Sequence, residues 1–236
     1  MKTSLSTSFS RIKPLSTDMY SQIRDRLLET KFQQSRGYGF SNVDGVLDKV
    51  LSAILVKRSP TVIQQLDSET GKLEDAEIFV YSQVRFNVDF RYCTLDVFGP
   101  ASNSSRVRTV FRSLIDPTTS VSALYLPPSH VVNVFDAAGV KASLDSLTVN
   151  NFRHNEYVVG RYSMRISSIG SSKEILAQYE HDVTKIHMRI SDSSAGDFDL
   201  TVVSPGQLTV SASQDNIIEA YEYCKQVLFE EALWEE

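Results

Sequence analysis

Apolar and polar residues alternate most regularly through "AEIFVYSQVRFNVDFRY", residues 76–92. Ile78, Val80, Val84, Phe86, Val88 and Phe90 project to one side, and Tyr81, Gln83, Arg85, Asn87, Asp89 and Arg91 to the other. A period of two predicts a strand with one core face and one available face. Upstream, "VLSAILVKR" reads as a buried strand and "TVIQQL" as its continuation past Pro60, which lacks a backbone donor and belongs at an edge or bulge. "SETGK" is a turn, and "TLDVFG" is the next strand. At the N-terminus, "SLSTSFSRI" is a short strand. In "LSTDMYSQIRDRLLET", Met19, Tyr20, Ile23 and Leu27 recur at the spacing of one helical face, with Ser16 or Thr17 as cap. A second helix, "SNSSRVRTVFRSLI", buries Val107, Val110, Phe111 and Leu114; Arg106 borders one edge of that stripe, and Arg108 and Arg112 border the other.

The second half repeats this mixture. "VSALYL" is a strand and "HVVNVFDAA" a short helix, while the polar, Asn-rich stretch 139–156 is the best candidate boundary. "EYVVGRYSMRIS" is a strand with a glycine bulge, and "SSKEILAQYEH" is a short helix or helical turn. In "DVTKIHMRIS", Thr184, Ile186, Met188 and Ile190 alternate with Val183, Lys185, His187 and Arg189. "DFDLTVVS" and "QLTVSAS" form a hairpin through Pro205-Gly206, and the last helix is amphipathic through Ile217, Ile218, Tyr221, Cys224 and Leu228. "YCTLDVFGPASNSSRVRTVFRSLI" and "GQLTVSASQDNIIEAYEYCKQVLF" share a strand, a small-polar helix start and a helix of similar length. They form a weak internal repeat of a strand–strand–helix unit.

These elements predict an α+β fold of two related halves, each a mainly antiparallel curved sheet with helices packed on one face. The halves are 1–138, net basic, and 139–236, net acidic, or else one continuous pseudo-repeated domain. At 236 residues and 42% hydrophobic content the chain can bury a substantial core. No apolar run is long enough for a membrane helix, and the N-terminus lacks the apolar centre of a secretory signal, so a cytoplasmic protein is expected. The net charge of −5 hides an asymmetry. Residues 1–113 carry 16 Lys and Arg against 12 Asp and Glu, whereas residues 114–236 carry 8 against 17. One half can face phosphate while the other stays away from it.

"SRGYGF", residues 35–40, has the outline of an RNA-recognition-motif strand. It follows a helix with no second strand between, Ser41 stands where a β-branched apolar residue is wanted, and Val43 replaces the second stacking aromatic. A glycine-hinged loop is the better reading. Catalytic signatures are equally thin. There is no nucleophile elbow, Walker loop, dinucleotide turn or zinc helix. His130, His154, His181 and His187 are scattered, and Cys93 and Cys224 support neither a disulfide framework nor a thiolate cluster. No cofactor, metal or enzymatic activity is expected. Basic groups make the better constellation: Lys57, Arg58, Arg85, Arg91, Arg106, Arg108 and Arg112 fall on a strand face and an adjoining helix, suited to phosphate contacts that read no bases.

The opening strand and helix, "CTLDVFGPASNSSRVRTVFRSLIDPTTSVSALYL" and above all "SSKEILAQYEHDVTKIHMRI" resemble, in the same order, the bacterial recombination-associated RdgC family. The resemblance implies a cytoplasmic, nucleoid-associated, non-enzymatic protein that forms a ring-shaped dimer around duplex DNA and restrains recombinase loading. It also implies that Lys185 of "DVTK" joins Arg85 and Arg91 on the inner sheet surface. This chain is shorter than typical members, and it has only "DSETGKLED" where the family carries a long charged helical insertion that helps close the ring. Centromere proteins N and L resemble a more distant variant of the same plan and work through partner binding. The expected function is therefore non-catalytic, sequence-independent binding of duplex DNA in recombination or genome maintenance, as a homodimer or with a protein partner. The alternative is an interaction scaffold or assembly subunit working through a sheet edge or the acidic C-terminal helix.

Overall fold

The structure, a computed structural model, describes residues 2–66, 68–69, 71–155, 158–166, 169–179 and 182–230. The fold is α+β, dominated by large, mostly antiparallel sheet structure. The chain divides into two compact units, interleaved in sequence. One comprises residues 1–11, 98–101 and 122–236, and the other comprises residues 12–97 and 102–121. Residue 139, the sequence boundary, lies within the first of these, between a helix and a strand.

The unit holding residues 12–97 starts with α1 (Met19–Glu29), which buries Tyr20, Ile23 and Leu27. Its N-cap is Asp18, without a side-chain cap bond; the amides of Met19 and Tyr20 bond the carbonyls of Ser16 and Thr17 instead. Strands β2 (Tyr38–Val46), β3 (Val50–Leu66), β4 (Leu73–Asp89) and β5 (Thr94–Phe98) then pair antiparallel in sequence order. Helix α2 (Ala101–Arg112) closes the unit, burying Val107 and Phe111 on the same core as α1. That core takes alternate strand positions: Leu51, Ala53 and Leu55 of β3 face Val88, Phe86 and Val84 of β4.

Two sequence expectations change here. Tyr38–Phe40 of "SRGYGF" begin β2, because Gly39 lets another segment's backbone come close. The Phe40 amide bonds the Thr30 carbonyl at 2.8 Å, and a Cβ on Gly39 would sit 2.3 Å from Phe32 Cα. Only Gly37, at φ +74°, acts as the expected hinge. Ile78 and Val80 also continue the core alternation of β4 yet are 38% and 47% exposed. Pairing with β2 ends at Lys57 and pairing with β5 reaches only Phe86, so residues 59–66 and 73–82 are a two-stranded arm. Pro60 lies in it, where the strand has no second neighbour among the described residues to demand its missing donor.

The other unit takes in most of β1 (Lys2–Lys13). Residues 2–8 of this strand pair antiparallel with Gln207–Ser213, the length of β11. The order across this sheet is β1-β11-β10-β9-β7-β8, with β7 (Lys141–Asn155), β8 (Val158–Arg165), β9 (Val183–Asp192) and β10 (Gly196–Val203). The short β6 (Ser120–Ala123) pairs with β1. Helices α3 (Pro128–Ala137), α4 (Ile169–Gln178) and α5 (Ile217–Glu230) pack on the core side. The polar stretch expected to separate domains is strand β7, inside the sheet. Its buried Leu144, Leu147 and Val149 are thrown out of simple alternation by a bulge between residues 144 and 146. In α5, Ile217, Tyr221, Cys224 and Leu228 are buried as their spacing predicts, but Ile218 is 55% exposed.

Candidate nucleic-acid interface

With Ile186, Met188 and Ile190 committed to the core, period two turns Lys185, His187 and Arg189 of β9 to the opposite face of the sheet. The same parity brings hydroxyls there from every neighbour. One cross-strand row reads Ser6, Thr209, Thr201, His187, Ser146 and Arg165; the next contains Lys185, Thr148 and Ser163. The hydroxyls pair across strands: Ser6 with Thr209 at 2.8 Å, Ser4 with Ser211 at 2.7 Å, and Thr148 with Ser163 at 3.0 Å. The Nδ1 of His187 lies 3.0 Å from the Thr201 hydroxyl. No described helix is in contact with this face through the core clusters, which lie on the other side.

Its charges sort into two groups. Asp145 accepts from Arg189 at 2.9 Å, and Asp199 accepts from Lys2 at 2.5 Å with Arg189 at 3.8 Å. These acids are answered within the face. Lys185, Arg161 and Arg165 are exposed and have no hydrogen-bond or ion-pair partner among the described residues. Arg161, Ser163 and Arg165 alternate along β8, and Lys185 sits two strands from Ser163, about 10 Å away at ordinary strand spacing. The arrangement offers cations and hydroxyl donors over a polar sheet face, the groups that contact phosphate oxygens without reading sequence.

The other predicted cations are distributed differently. Lys57 and Arg106 come together at the rim of a groove between β3 and α2. Arg58 and Arg85 belong to the opposite face of β3 and β4. The Arg58 guanidinium stacks 3.4 Å from the Phe79 ring centroid and donates to the Gln34 carbonyl at 3.1 Å. Arg85 is exposed. Arg91 grips Asp89 with two bonds, at 3.0 and 2.7 Å, because the buried carboxylate needs a counter-charge at the turn after β4. Arg112 donates through Nε to the Val121 carbonyl at 2.9 Å, and its Nη2 donates to the same oxygen. Arg108 is half-buried on α2. Thus Arg91 and Arg112 already serve the fold.

Sequence reasoning missed Arg161, Arg165 and the hydroxyl rows. The available signal was the alternation of Ser and Thr in "SLSTSFS" and "QLTVSAS", which had value only once the strands were known to be neighbours. Among the described residues no group of three His, Cys, Asp or Glu could hold a metal ion. Cys224 is fully buried and its thiol is pushed far up by desolvation. His181 and the acidic run at 231–236 lie outside the described residues. No described helix is long and apolar enough to cross a membrane. Set against known proteins, the chain matches no protein-family model and no curated protein.

Proposed function

We propose that this protein binds the backbone of duplex DNA without sequence preference and without catalysis, through the open sheet face of β1 and β7–β11. The observation that carries the reading is the charge sorting on that face: Asp145 and Asp199 are neutralised locally, while Lys185, Arg161 and Arg165 stand exposed beside Ser163 and Thr148. Each such cation that meets a phosphate releases counterions, which makes binding salt-sensitive. The RdgC resemblance points the same way and implies a role in recombination or genome maintenance, in the cytoplasm or on the nucleoid.

The element order supports reading the two units as related copies. Leaving out β1 and the short β6, one runs α1-β2-β3-β4-β5-α2 and the other α3-β7-β8-α4-β9-β10-β11-α5, and in both the four strands before the last helix lie side by side in order once β8-α4 is set apart. On this reading β8 is an insertion, and it carries Arg161 and Arg165.

The test is fluorescence anisotropy of a labelled duplex of about 30 base pairs at about 50 and 200 mM salt, beside a duplex of scrambled sequence. Binding indifferent to sequence and several-fold weaker at high salt is expected. Changing Arg161, Arg165 and Lys185 together to Gln should lower the salt slope by about 2 to 3. Absence of binding at low salt, or a triple variant that binds like the parent, would refute the proposal.

A second reading, a scaffold that engages a protein partner, is favoured by the β3–β4 arm. Val62, Leu66, Leu73, Phe79 and Tyr81 are each more than 45% exposed there. Its outcome in the same assay is no binding to DNA.

A further inference from the structure

We propose that the groove between α2 and the β2–β4 sheet is a binding site for a small amphipathic anion, an alkyl carboxylate. Leu55 and Val84, 3% and 4% exposed, form its floor, and Val110 of α2 forms its wall. On this face of β3 and β4 the next positions after Leu55 and Val84 are Lys57 and Ser82, which are cross-strand partners, so the surface changes from hydrocarbon to cation and hydroxyl within one step. Arg106 of α2 reaches the same rim, and among the described residues no carboxylate lines the groove. Among the described residues Lys57 and Arg106 have no ion-pair or hydrogen-bond partner, and the hydroxyls of Tyr38 and Ser82 are likewise unpaired.

The cavity measures about 350 Å³, within the range of small-molecule sites. At about 30 Å³ per water-sized group it takes roughly a dozen non-hydrogen atoms. Two cations without a nearby acid select an anion. The floor is aliphatic, and the Ser105 and Thr109 hydroxyls on the α2 side already donate to carbonyls of their own helix, at 3.1 and 2.9 Å, which selects a hydrocarbon body, since a base or sugar would leave polar groups unanswered there. The carboxylate lies between Lys57 and Arg106, accepting from Tyr38 or Ser82, and the chain lies on Leu55, Val84 and Val110.

The probe is octanoate, with 1-octanol as its neutral twin, followed by methyl NMR of Leu55, Val84 and Val110 and by calorimetry. Saturable octanoate binding with Kd of about 0.1–1 mM is expected, at least about tenfold tighter than octanol. Lys57→Gln with Arg106→Gln should erase that preference while leaving octanol binding unchanged. Thr109→Trp, on the exposed groove wall, should block both ligands. Equal affinity for the two, shifts confined to methyls outside the groove, or full binding by T109W would each overturn the assignment. The measurement needs no nucleic acid, so its outcome is independent of the DNA proposal.

Discussion

Asp192 shows how much one carboxylate can organise. At the β9–β10 turn its Oδ1 accepts from the Ser194 hydroxyl at 2.5 Å, the Ser194 amide at 2.7 Å and the Ala195 amide at 3.0 Å. Those donors, led by the Ser194 hydroxyl, hold its pKa down to about 2. Tyr223 of α5 also bonds it, and burial together with the Asp192 charge raises the pKa of the Tyr223 phenol. A carboxyl whose folded pKa lies below its unfolded value of about 3.9 stabilises the fold above that pH. The contribution fades as pH falls from about 4 to about 2. Acid titration followed by circular dichroism should therefore show stability declining across that window. Asp192→Asn should flatten the decline and cost about 1 kcal/mol at neutral pH, measured by urea unfolding.

Elements differ in how plainly their sequences announce them. Helix α1 and helix α5 were legible because their apolar residues keep one helical spacing and that stripe is what the core takes up. Strand β7 was not, because its bulge shifts Leu147 out of phase with Leu144, and a polar segment with broken alternation looks like a linker. Strand β4 was legible as a strand and misleading about burial: the alternation through Ile78 and Val80 outruns the sheet that could cover it. Cations at Arg85 and Lys185 were readable as outward positions from parity alone. Partners such as Asp89 for Arg91, or the Val121 carbonyl for Arg112, depend on turns whose geometry no pattern encodes. The arm carries its own consequence. The buried positions of β3 and β4 end at Val56 and Val84, so none of the described residues between 60 and 79 adds to that core. Replacing them with an Asn-Gly turn should leave the circular dichroism of the remainder intact and shift Tm by less than about 4 °C.

At the scale of the whole molecule, each unit is assembled from distant stretches of chain. Phe9 is 2% exposed, in the core with Leu200, Leu208 and Val210, and its ring meets Phe229 edge-on at 5.2 Å. Phe9→Ala should cost about 3–5 kcal/mol in urea unfolding, the penalty of emptying a core site and not of trimming a terminus. Residues 2–8 find their partners at 207–213, and this pairing sets an order of events in the cell. A ribosome delivers Ser213 some 200 residues after Lys2; at about 5–20 residues per second that interval is roughly 10–40 s. For that time β1 emerges with its β11 edge unpaired, and the unit it belongs to closes only once β11 has been made.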